Sequence, residues 1–259
     1  LVGSIAKAFV FQRQDSVWTM EHQFMQPDAN SPSYGNDVSI HGNVAAIADP
    51  NSDYRGVYLY RFDGASWLLE QKIDGHTYSG RSISLSDDAL AVGGGFGVFV
   101  FRFNGSVWSQ EALLTGAGAL SFGSPISLSG DSLLSGGTLP GFADDEYPVV
   151  FVFRRTGPTW FQESVLSTPS GDYGDCFGWS ASLDDGVALI GAWGDDASKY
   201  QDNSGTAYLY FLDKSGACCD RKTGMCTTCQ LETECTGPDF LWTRSRDCSE
   251  TTCSIALGA

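Results

Sequence analysis

An apolar triplet followed nine positions later by Trp, and three positions after that by Glu, occurs four times in this chain. From one triplet to the next, up to a fifth at Tyr208-Leu209-Tyr210, the interval varies from 41 to 57 residues. Fixed spacing inside units of variable length indicates repeated structural elements joined by loops of different length. The four units are Phe9-Val10-Phe11 with Trp18 and Glu21, Tyr58-Leu59-Tyr60 with Trp67 and Glu70, Phe99-Val100-Phe101 with Trp108 and Glu111, and Phe151-Val152-Phe153 with Trp160 and Glu163.

Each unit predicts a short antiparallel sheet. In the clearest one, Asn104-Gly105 joins two β-rich runs, a sequence typical of a hairpin with a type I′ turn. Asp63-Gly64 and Thr156-Gly157 occupy the aligned positions. A short alternating Ser-rich strand and a Gly-rich strand precede the aromatic strand, so each unit holds four strands. No segment has convincing helical periodicity.

The aromatic strands are apolar on both faces, so both faces of each sheet need a cover. Because helices are absent from the pattern, other copies of the sheet must supply it, as radial propeller blades do. Three strands precede the loop at Asp28, four lie in each of the next three units and three lie at the end. The sequence therefore predicts an all-β propeller of four to five four-stranded blades. Since eighteen strands do not complete five blades, we expect an arc of a larger ring, or a ring whose other strands lie outside this chain.

Motifs near the end of the repeats resemble the FG-GAP repeat of integrin-α-type β-propellers, in its secreted form. The matching segments are Gly174-Asp-Cys-Phe-Gly-Trp-Ser180, Ala188-Leu-Ile-Gly-Ala192 and Gly205-Thr-Ala-Tyr-Leu-Tyr210, with Phe122-Gly123 and Tyr34-Gly35 at equivalent positions. The resemblance covers residues 1 to 216 and implies a propeller that works outside the cell. Integrin-type blades often carry a calcium loop of alternating Asp and Asn ending in Asp-Gly, which this chain does not reproduce.

The repeat register ends near Gly216, because Ala217 stands where the fifth unit would have Trp. Seven of the eight cysteines follow. Such density in a short segment is typical of a disulfide framework in an oxidising compartment. We therefore predict two domains, the repeats at 1–216 and a disulfide module at 217–259. The predicted disulfide residues are Cys218, Cys219, Cys226, Cys235, Cys248 and Cys253, with Cys176 and Cys229 left to pair or to stay free. Zinc at Cys226-x-x-Cys229 is the alternative, although no His lies nearby.

Charge and motifs exclude several functions. With 15 basic and 31 acidic residues the net charge is −16, which opposes binding to nucleic acid or anionic lipid. No apolar run is long enough to span a membrane. There is no Gly-x-Ser-x-Gly elbow, and His22, His41 and His76 lie at unrelated positions of the repeat. We expect no catalytic activity and no nucleic-acid partner.

The candidate site lies in the loops between the Gly-rich strand and the next aromatic strand. These loops differ greatly in length, which is how binding loops diversify on a rigid scaffold. The predicted ligand-binding residues are Trp193, Asp195, Asp196, Tyr200 and Asp202 in the longest loop, and Asp144, Asp145 and Glu146 in its partner. Calcium is an open alternative at Asp195, Asp196, Asp202 and Asn203, since hard oxygen ligands suit it.

Trp residues in the repeat register are expected to pack between blades, whereas Trp179 and Trp193 break the register and are candidates for surface recognition. The repeated Glu is expected to cap backbone or to face solvent. Together these observations predict a secreted or cell-surface, non-catalytic binding or adhesion module for an extracellular protein or glycan. The alternatives are a glycan hydrolase on an acidic propeller, with two carboxylates about 5 to 9.5 Å apart, and a purely structural repeat of a cell envelope.

Overall fold

The computed structural model describes most of the repeat region and three short strands of the tail. The described residues are 1–4, 6–27, 31–50, 55–74, 80–95, 97–141, 146–168, 173–195 and 204–212, with the backbone alone at 216–220, 226–230 and 240–244. The regular elements among these residues are strands, apart from a single 3-10 turn at Tyr173–Asp175. None of them forms a helix long and apolar enough to cross a bilayer.

Eighteen strands form five successive sheets, which we call blades 1 to 5. Blade 1 is β1 (Val2–Ser4), β2 (Lys7–Gln14) and β3 (Val17–Met25); blade 2 is β4 (Val38–His41), β5 (Val44–Asp49), β6 (Gly56–Phe62) and β7 (Trp67–Asp74); blade 3 is β8 (Ile83–Ser86), β9 (Ala89–Gly94), β10 (Gly97–Phe103) and β11 (Trp108–Leu114); blade 4 is β12 (Ser121–Ser129), β13 (Ser132–Pro140), β14 (Glu146–Thr156) and β15 (Thr159–Leu166); blade 5 is β16 (Phe177–Asp184), β17 (Val187–Ala192) and β18 (Thr206–Phe211). In each blade, strands that are consecutive in the chain lie side by side. This confirms the predicted propeller and its division into three, four, four, four and three strands.

The chain divides into two compact units, residues 1–185 with 189–208, and residues 186–188 with 209–259. In the tail, β19 (Gly216–Asp220) pairs antiparallel with both β20 (Cys226–Gln230) and β21 (Phe240–Arg244). The tail side chains lie outside the described residues, so the six predicted disulfide cysteines and the boundary near Gly216 stay predictions. Cys176 is a half-buried free thiol.

The hairpin predicted at Asn104-Gly105 is confirmed, but its turn type is not I′. Gly105 has a φ of +94°, while Asn104 does not adopt a positive φ. The Asn104 side-chain oxygen instead accepts hydrogen bonds from the backbone N–H groups of Ser106 and Val107, both at 3.0 Å. A short Asn side chain can take the place of a backbone acceptor in this way. The side chain of Asn104 therefore closes a four-residue turn, and a type I′ turn is not required.

The core lies between the blades. Each of three apolar clusters joins the face of one blade that points to the next blade, here called its forward face, to the rear face of that next blade. Between blades 3 and 4, the small side chains of Ala91 and Val100 belong to one buried cluster with the aromatic rings of Phe151 and Phe153. Burying aromatic rings on this scale contributes most of the stabilisation of such interfaces. Trp108 is 4% exposed and packs as predicted, whereas the same prediction is wrong for Trp18, which is 65% exposed.

Serine hydroxyls connect the first strands of neighbouring blades. The N–H groups of Ile126, Leu128 and Gly130 in blade 4 donate to the Oγ atoms of Ser82, Ser84 and Ser86 in blade 3, each at 3.0 Å. In the same way, the Oγ of Ser39 accepts a hydrogen bond from the Leu85 N–H, and the Oγ of Ser127 accepts one from the Leu183 N–H. The first strand of a blade is an edge strand, and its outward N–H groups need acceptors. The alternating serines of the sequence supply them.

The Phe-Gly pair of the repeat has a steric explanation. Phe122 is buried, and Gly123 has a φ of +98° that residues with a Cβ rarely adopt. Its backbone also lies against blade 3, since a Cβ placed on Gly93 would overlap the carbonyl oxygen of Gly123. A side chain at either glycine would separate the two blades, so the motif marks a close backbone contact.

Three of the four repeated Glu residues do not behave as predicted. Glu70, Glu111 and Glu163 form ion pairs with the arginine that ends the aromatic strand of the same blade. Glu111 receives a second arginine, Arg155 of blade 4, at 2.6 Å. Burial alone would raise the pKa of Glu111, but hydrogen bonds and charge from Arg102 and Arg155 outweigh it and hold the pKa below its usual value. The expectation of a cap or a solvated carboxylate was therefore wrong for these three residues, because the arginine lies on a different strand, whereas Glu21 is exposed as predicted.

Candidate functional site

A cleft of about 370 Å³ lies between blades 4 and 5. It opens where β12 and β16 begin and β13 ends, which is the end of the blades that carries the variable loops. The cleft is lined by Ser121, Ser124, Pro125, Gly137, Thr138, Glu146, Pro148, Cys176, Phe177, Gly178 and Trp179. Glu146 is thus the described member of the predicted loop pair that reaches this cleft.

One wall of the cleft is polar and preorganised. Because β13 and β14 pair as far as Pro140 and Glu146, the carboxylate of Glu146 is brought beside Thr138. The Thr138 hydroxyl donates to Oε2 of Glu146 at 2.8 Å, and the hydroxyls of Ser121 and Thr138 are 2.9 Å apart. This chain of hydrogen bonds fixes the carboxylate orientation while leaving its other oxygen available as an acceptor.

Aromatic side chains lie at the rim of the cleft. Trp179 and Trp193 are 70% and 53% exposed, and their ring centroids lie 6.0 Å apart at an interplanar angle of 77°. Phe177, two residues before Trp179, is buried and anchors the start of β16. The two Trp residues that break the repeat register are therefore neighbours in space, although they lie fourteen positions apart in the sequence. Exposed indoles held on a strand end offer a rigid stacking surface at low entropic cost.

Asp195 occupies a structural position at the base of the longest loop. It is only 7% exposed, and its carboxylate accepts a hydrogen bond from the Tyr208 hydroxyl. Its carbonyl oxygen accepts from the Gly205 N–H at 2.9 Å and from the Ser204 hydroxyl at 3.3 Å. These contacts join the end of β17 to the residues that lead into β18, so Asp195 holds these two described segments together. Its predicted contact with a ligand stays a prediction.

Six predicted site residues lie outside the described residues: Asp144, Asp145, Asp196, Tyr200, Asp202 and Asn203. Within the described part of the chain, no group of three or more His, Cys, Asp or Glu side chains could hold a metal ion. Calcium at the longest loop therefore stays a prediction.

Sequence reasoning did not select Thr138 or Ser121, which complete the polar wall. Neither residue belongs to an acidic cluster, and Ser121 drew attention only as the residue before the Phe122-Gly123 pair, so composition gave no signal. An extended β13–β14 hairpin brings Thr138 opposite Pro148, close to Glu146. The longer strand-forming sequence on both sides of residues 142–145 was the one available hint, since it favours strand pairing beyond the usual blade length.

The chain was compared with known proteins. The family model described as FG-GAP repeat matches residues 160–210, which include all of the described part of blade 5 up to Tyr210. No curated protein matches the chain. Among solved structures, the N-terminal domain of Nup159 is similar over 80% of this chain and 53% of that one, with 14% sequence identity and a TM-score of 0.41. The chain thus spans about half the length of that structure.

Proposed function

We propose that this chain is a secreted or cell-surface, non-catalytic binding module that recognises a glycan or glycoprotein through the cleft between blades 4 and 5. The observation that carries the proposal is the pair of exposed indoles, Trp179 and Trp193, beside the ordered carboxylate of Glu146. Large exposed aromatics on a rigid scaffold are typical of binding hot spots.

The chemistry of the cleft suits a sugar. A pyranose ring has an apolar C–H face that stacks on an indole, and hydroxyls that need donors and acceptors at its edge. Glu146, Thr138 and Ser121 provide such groups on one wall, and Trp179 provides an aromatic face on the rim. A few placed polar groups in a mostly apolar concave site are typical of small-ligand recognition.

The hydrolase alternative receives less support. Glycoside hydrolysis by the usual route needs a pair of carboxylates about 5 to 9.5 Å apart across the scissile bond. Glu146 is the single carboxylate among the described lining residues, and it is already hydrogen-bonded to Thr138. A structural envelope role would not need exposed indoles beside a cleft, so binding remains our preferred function.

An extracellular location is part of the proposal. It is supported by the match to the FG-GAP repeat and by the seven cysteines after Gly216, a density typical of oxidising compartments. The acidic net charge of −16 supports high solubility without attraction to nucleic acid or anionic membranes.

The test is a screen of immobilised glycans and matrix glycoproteins, with and without calcium, followed by variants at the cleft. Trp179→Ala and Trp193→Ala should each weaken binding about tenfold or more, the scale of a hot-spot truncation. Both side chains are largely exposed, so the melting temperature should change by less than about 2 °C. Trp18→Ala is the matched control, since Trp18 is 65% exposed on blade 1.

Binding that survives both cleft substitutions, or that Trp18→Ala weakens equally, would contradict the proposed site. Hydrolysis of any bound glycan that Glu146→Gln abolishes would replace binding by catalysis. A requirement for calcium in the wild-type protein would indicate a metal-dependent site in the longest loop.

A further inference from the structure

A second cleft, between blades 1 and 2, lies at the hairpin end of the blades and is independent of the proposed function. The equivalent positions of the repeat form a polar contact between blades 2 and 3, and this contact shows which group the cleft lacks. There, Arg61 donates from Nε to Oε1 of Glu70 at 2.6 Å and from Nη2 to Oε2 at 3.1 Å. The Arg61 guanidinium carbon lies 4.6 Å from the ring centroid of Phe103, and Trp108 donates its indole N–H to Oε2 of Glu70 at 3.0 Å.

This contact has four parts: a guanidinium, a carboxylate, an aromatic ring beneath the guanidinium, and an indole N–H on the carboxylate. The guanidinium and the carboxylate come from the earlier blade, and the ring and the indole from the later one. Between blades 3 and 4 the ring is replaced by Arg155, whose guanidinium joins that of Arg102 on Glu111, and the buried indole N–H of Trp160 has no hydrogen-bond partner among the described residues. In both interfaces at least one guanidinium neutralises the carboxylate, which a half-buried carboxylate needs.

Between blades 1 and 2 the guanidinium is missing. Gln12 stands at the position of Arg61, while Glu21 stands at that of Glu70. The later blade keeps its parts, because Phe62 and Trp67 lie with centroids 5.3 Å apart at 38°, almost the arrangement of Phe103 and Trp108 at 5.3 Å and 36°.

Two polar groups are left over at this place. The indole nitrogen of Trp67 is buried and has no hydrogen-bond partner among the described residues. The Glu21 side chain is exposed, unlike those of Glu70 and Glu111, and forms no ion pair within the same part of the chain; Arg13, the nearest arginine in the sequence, donates its Nε to the carbonyl oxygen of Asp15 instead. A buried donor without a partner costs about 1 to 3 kcal/mol, so such a group calls for an explanation.

A cavity of about 570 Å³ occupies the position. Its lining includes Gln12, Glu21, Asn43, Phe62 and Trp67. The volume exceeds what one arginine side chain needs, and it opens beside a carboxylate, an amide and an aromatic ring. The side-chain set is thus that of the intact contact between blades 2 and 3 with its arginine removed.

We propose that this cavity binds an arginine side chain of a partner polypeptide. The guanidinium would stack on Phe62 and pair with Glu21, as Arg61 does on Phe103 and Glu70, and the ordered carboxylate would accept the Trp67 N–H. Arginine is preferred over lysine because a planar fork matches a carboxylate in two bonds and also stacks on a ring. The net charge of −16 attracts basic partners to the molecule as a whole.

The experiment follows the indole N–H resonance of Trp67 by two-dimensional NMR, assigned through Trp67→Phe, during titration with Nα-acetyl-arginine N-methylamide. The resonance should move and saturate, and the affinity should fall roughly fivefold or more at 0.5 M NaCl, where exposed charges are screened. The citrulline analogue, which is uncharged, should leave it unmoved, and the lysine analogue should bind more weakly.

Variants separate the site from general electrostatics. Glu21→Gln should abolish the response, whereas Glu163→Gln, which removes a comparable carboxylate on blade 4, should preserve it. Gln12→Arg should place the Trp67 resonance near the bound position without ligand and remove the response, because the new arginine side chain would itself occupy the cavity.

The proposal is overturned if the arginine analogue leaves Trp67 unmoved, if citrulline acts equally well, or if Glu21→Gln responds like the wild type. If Gln12→Arg proves unstable, as judged by thermal unfolding, Glu21→Gln and the citrulline control still decide the question.

Discussion

Blade 3 and blade 5 are built from similar strands, yet their faces differ in exposure. The Gly-rich strand of blade 3, Ala89–Gly94, is buried at all six positions, so both of its faces are covered. The corresponding strand of blade 5, Val187–Ala192, alternates, with Leu189 at 49% exposure beside the buried Ile190. Hydrophobic content does not distinguish them, so what differs is the presence of a blade against the forward face.

The serines of the first strand in each blade show the same difference between blades 3 and 5. In blade 3, Ser82, Ser84 and Ser86 accept N–H groups from blade 4. Ser180 and Ser182 hold the equivalent positions of blade 5 and are exposed. The same serine motif therefore stabilises an interface only where the first strand of another blade lies against it. The comparison teaches that the repeat encodes half of each interface, and the neighbour supplies the other half.

The largest expected effect concerns the apolar side chains of the Gly-rich strands in blades 3 and 5. Leu90→Ala removes a fully buried side chain of blade 3 and should destabilise the protein by about 2 to 4 kcal/mol, through lost transfer free energy and a residual cavity. Leu189→Ala in blade 5 should cost less than about 0.5 kcal/mol, since half of that side chain is already in water. Urea denaturation of both variants measures the difference. Equal losses would mean that Leu189 is covered in solution, and that the contrast between the blades is wrong.

The next effect concerns the ion pairs of blades 3 and 4. Glu111→Gln leaves Arg102 and Arg155 without their shared carboxylate and should cost about 1 to 3 kcal/mol at pH 7. Glu163→Gln removes the partner of Arg154 alone, at a carboxylate that is 35% exposed, and should cost about 0.5 kcal/mol.

The pH dependence of the same pair gives a further check. Because the folded-state pKa of Glu111 is lowered, its contribution is complete above the ordinary value of 4.5 and is lost as the pH falls through the folded-state value. The stability difference between wild type and Glu111→Gln should therefore be constant above about pH 5.5 and should shrink below pH 4.5. Denaturation curves from pH 3 to 7 measure it, and a difference that grows on acidification would contradict the sign.

The smallest expected effect compares two serines. Ser84→Ala deprives the Leu128 N–H of its acceptor and should cost about 1 kcal/mol, the net value of one hydrogen bond. Ser182→Ala, at an exposed position of blade 5, should stay within about 0.5 kcal/mol of wild type. Hydrogen exchange of the Leu128 amide should accelerate in the first variant alone. Unchanged exchange there would show that the serine row does not protect the strand.

Sequence reasoning predicted the blades well and the cleft in part. It placed eighteen strands in the correct groups because the hairpin signals and the fixed spacing to Trp are local features. It selected Trp179 and Trp193 by their deviation from the repeat and Glu146 by its acidic cluster in a long loop, and the structure places all three around one cleft or its rim. It missed Thr138, whose role depends on the register of β13 against β14.

The repeated Glu shows why some assignments fail. Within their own strands, Glu70 and Glu21 look alike. The residue that distinguishes them lies nine positions earlier, across a hairpin: it is Arg61 in blade 2 and Gln12 in blade 1. Only strand pairing reveals that the two positions are neighbours. The orphaned Trp67 indole likewise appears only when blade 2 is packed against blade 1.

The sequence by itself determined the unit of this protein: four strands, a fixed hairpin, serine rows and a Phe-Gly pair. These features follow from local propensity, turn chemistry and periodicity, which act within a few residues. The tertiary structure alone decided which faces are covered, which carboxylates meet an arginine, and that two distant Trp residues share one rim. Such properties depend on which blade lies against which, and packing between elements far apart in the chain leaves no local trace in the sequence.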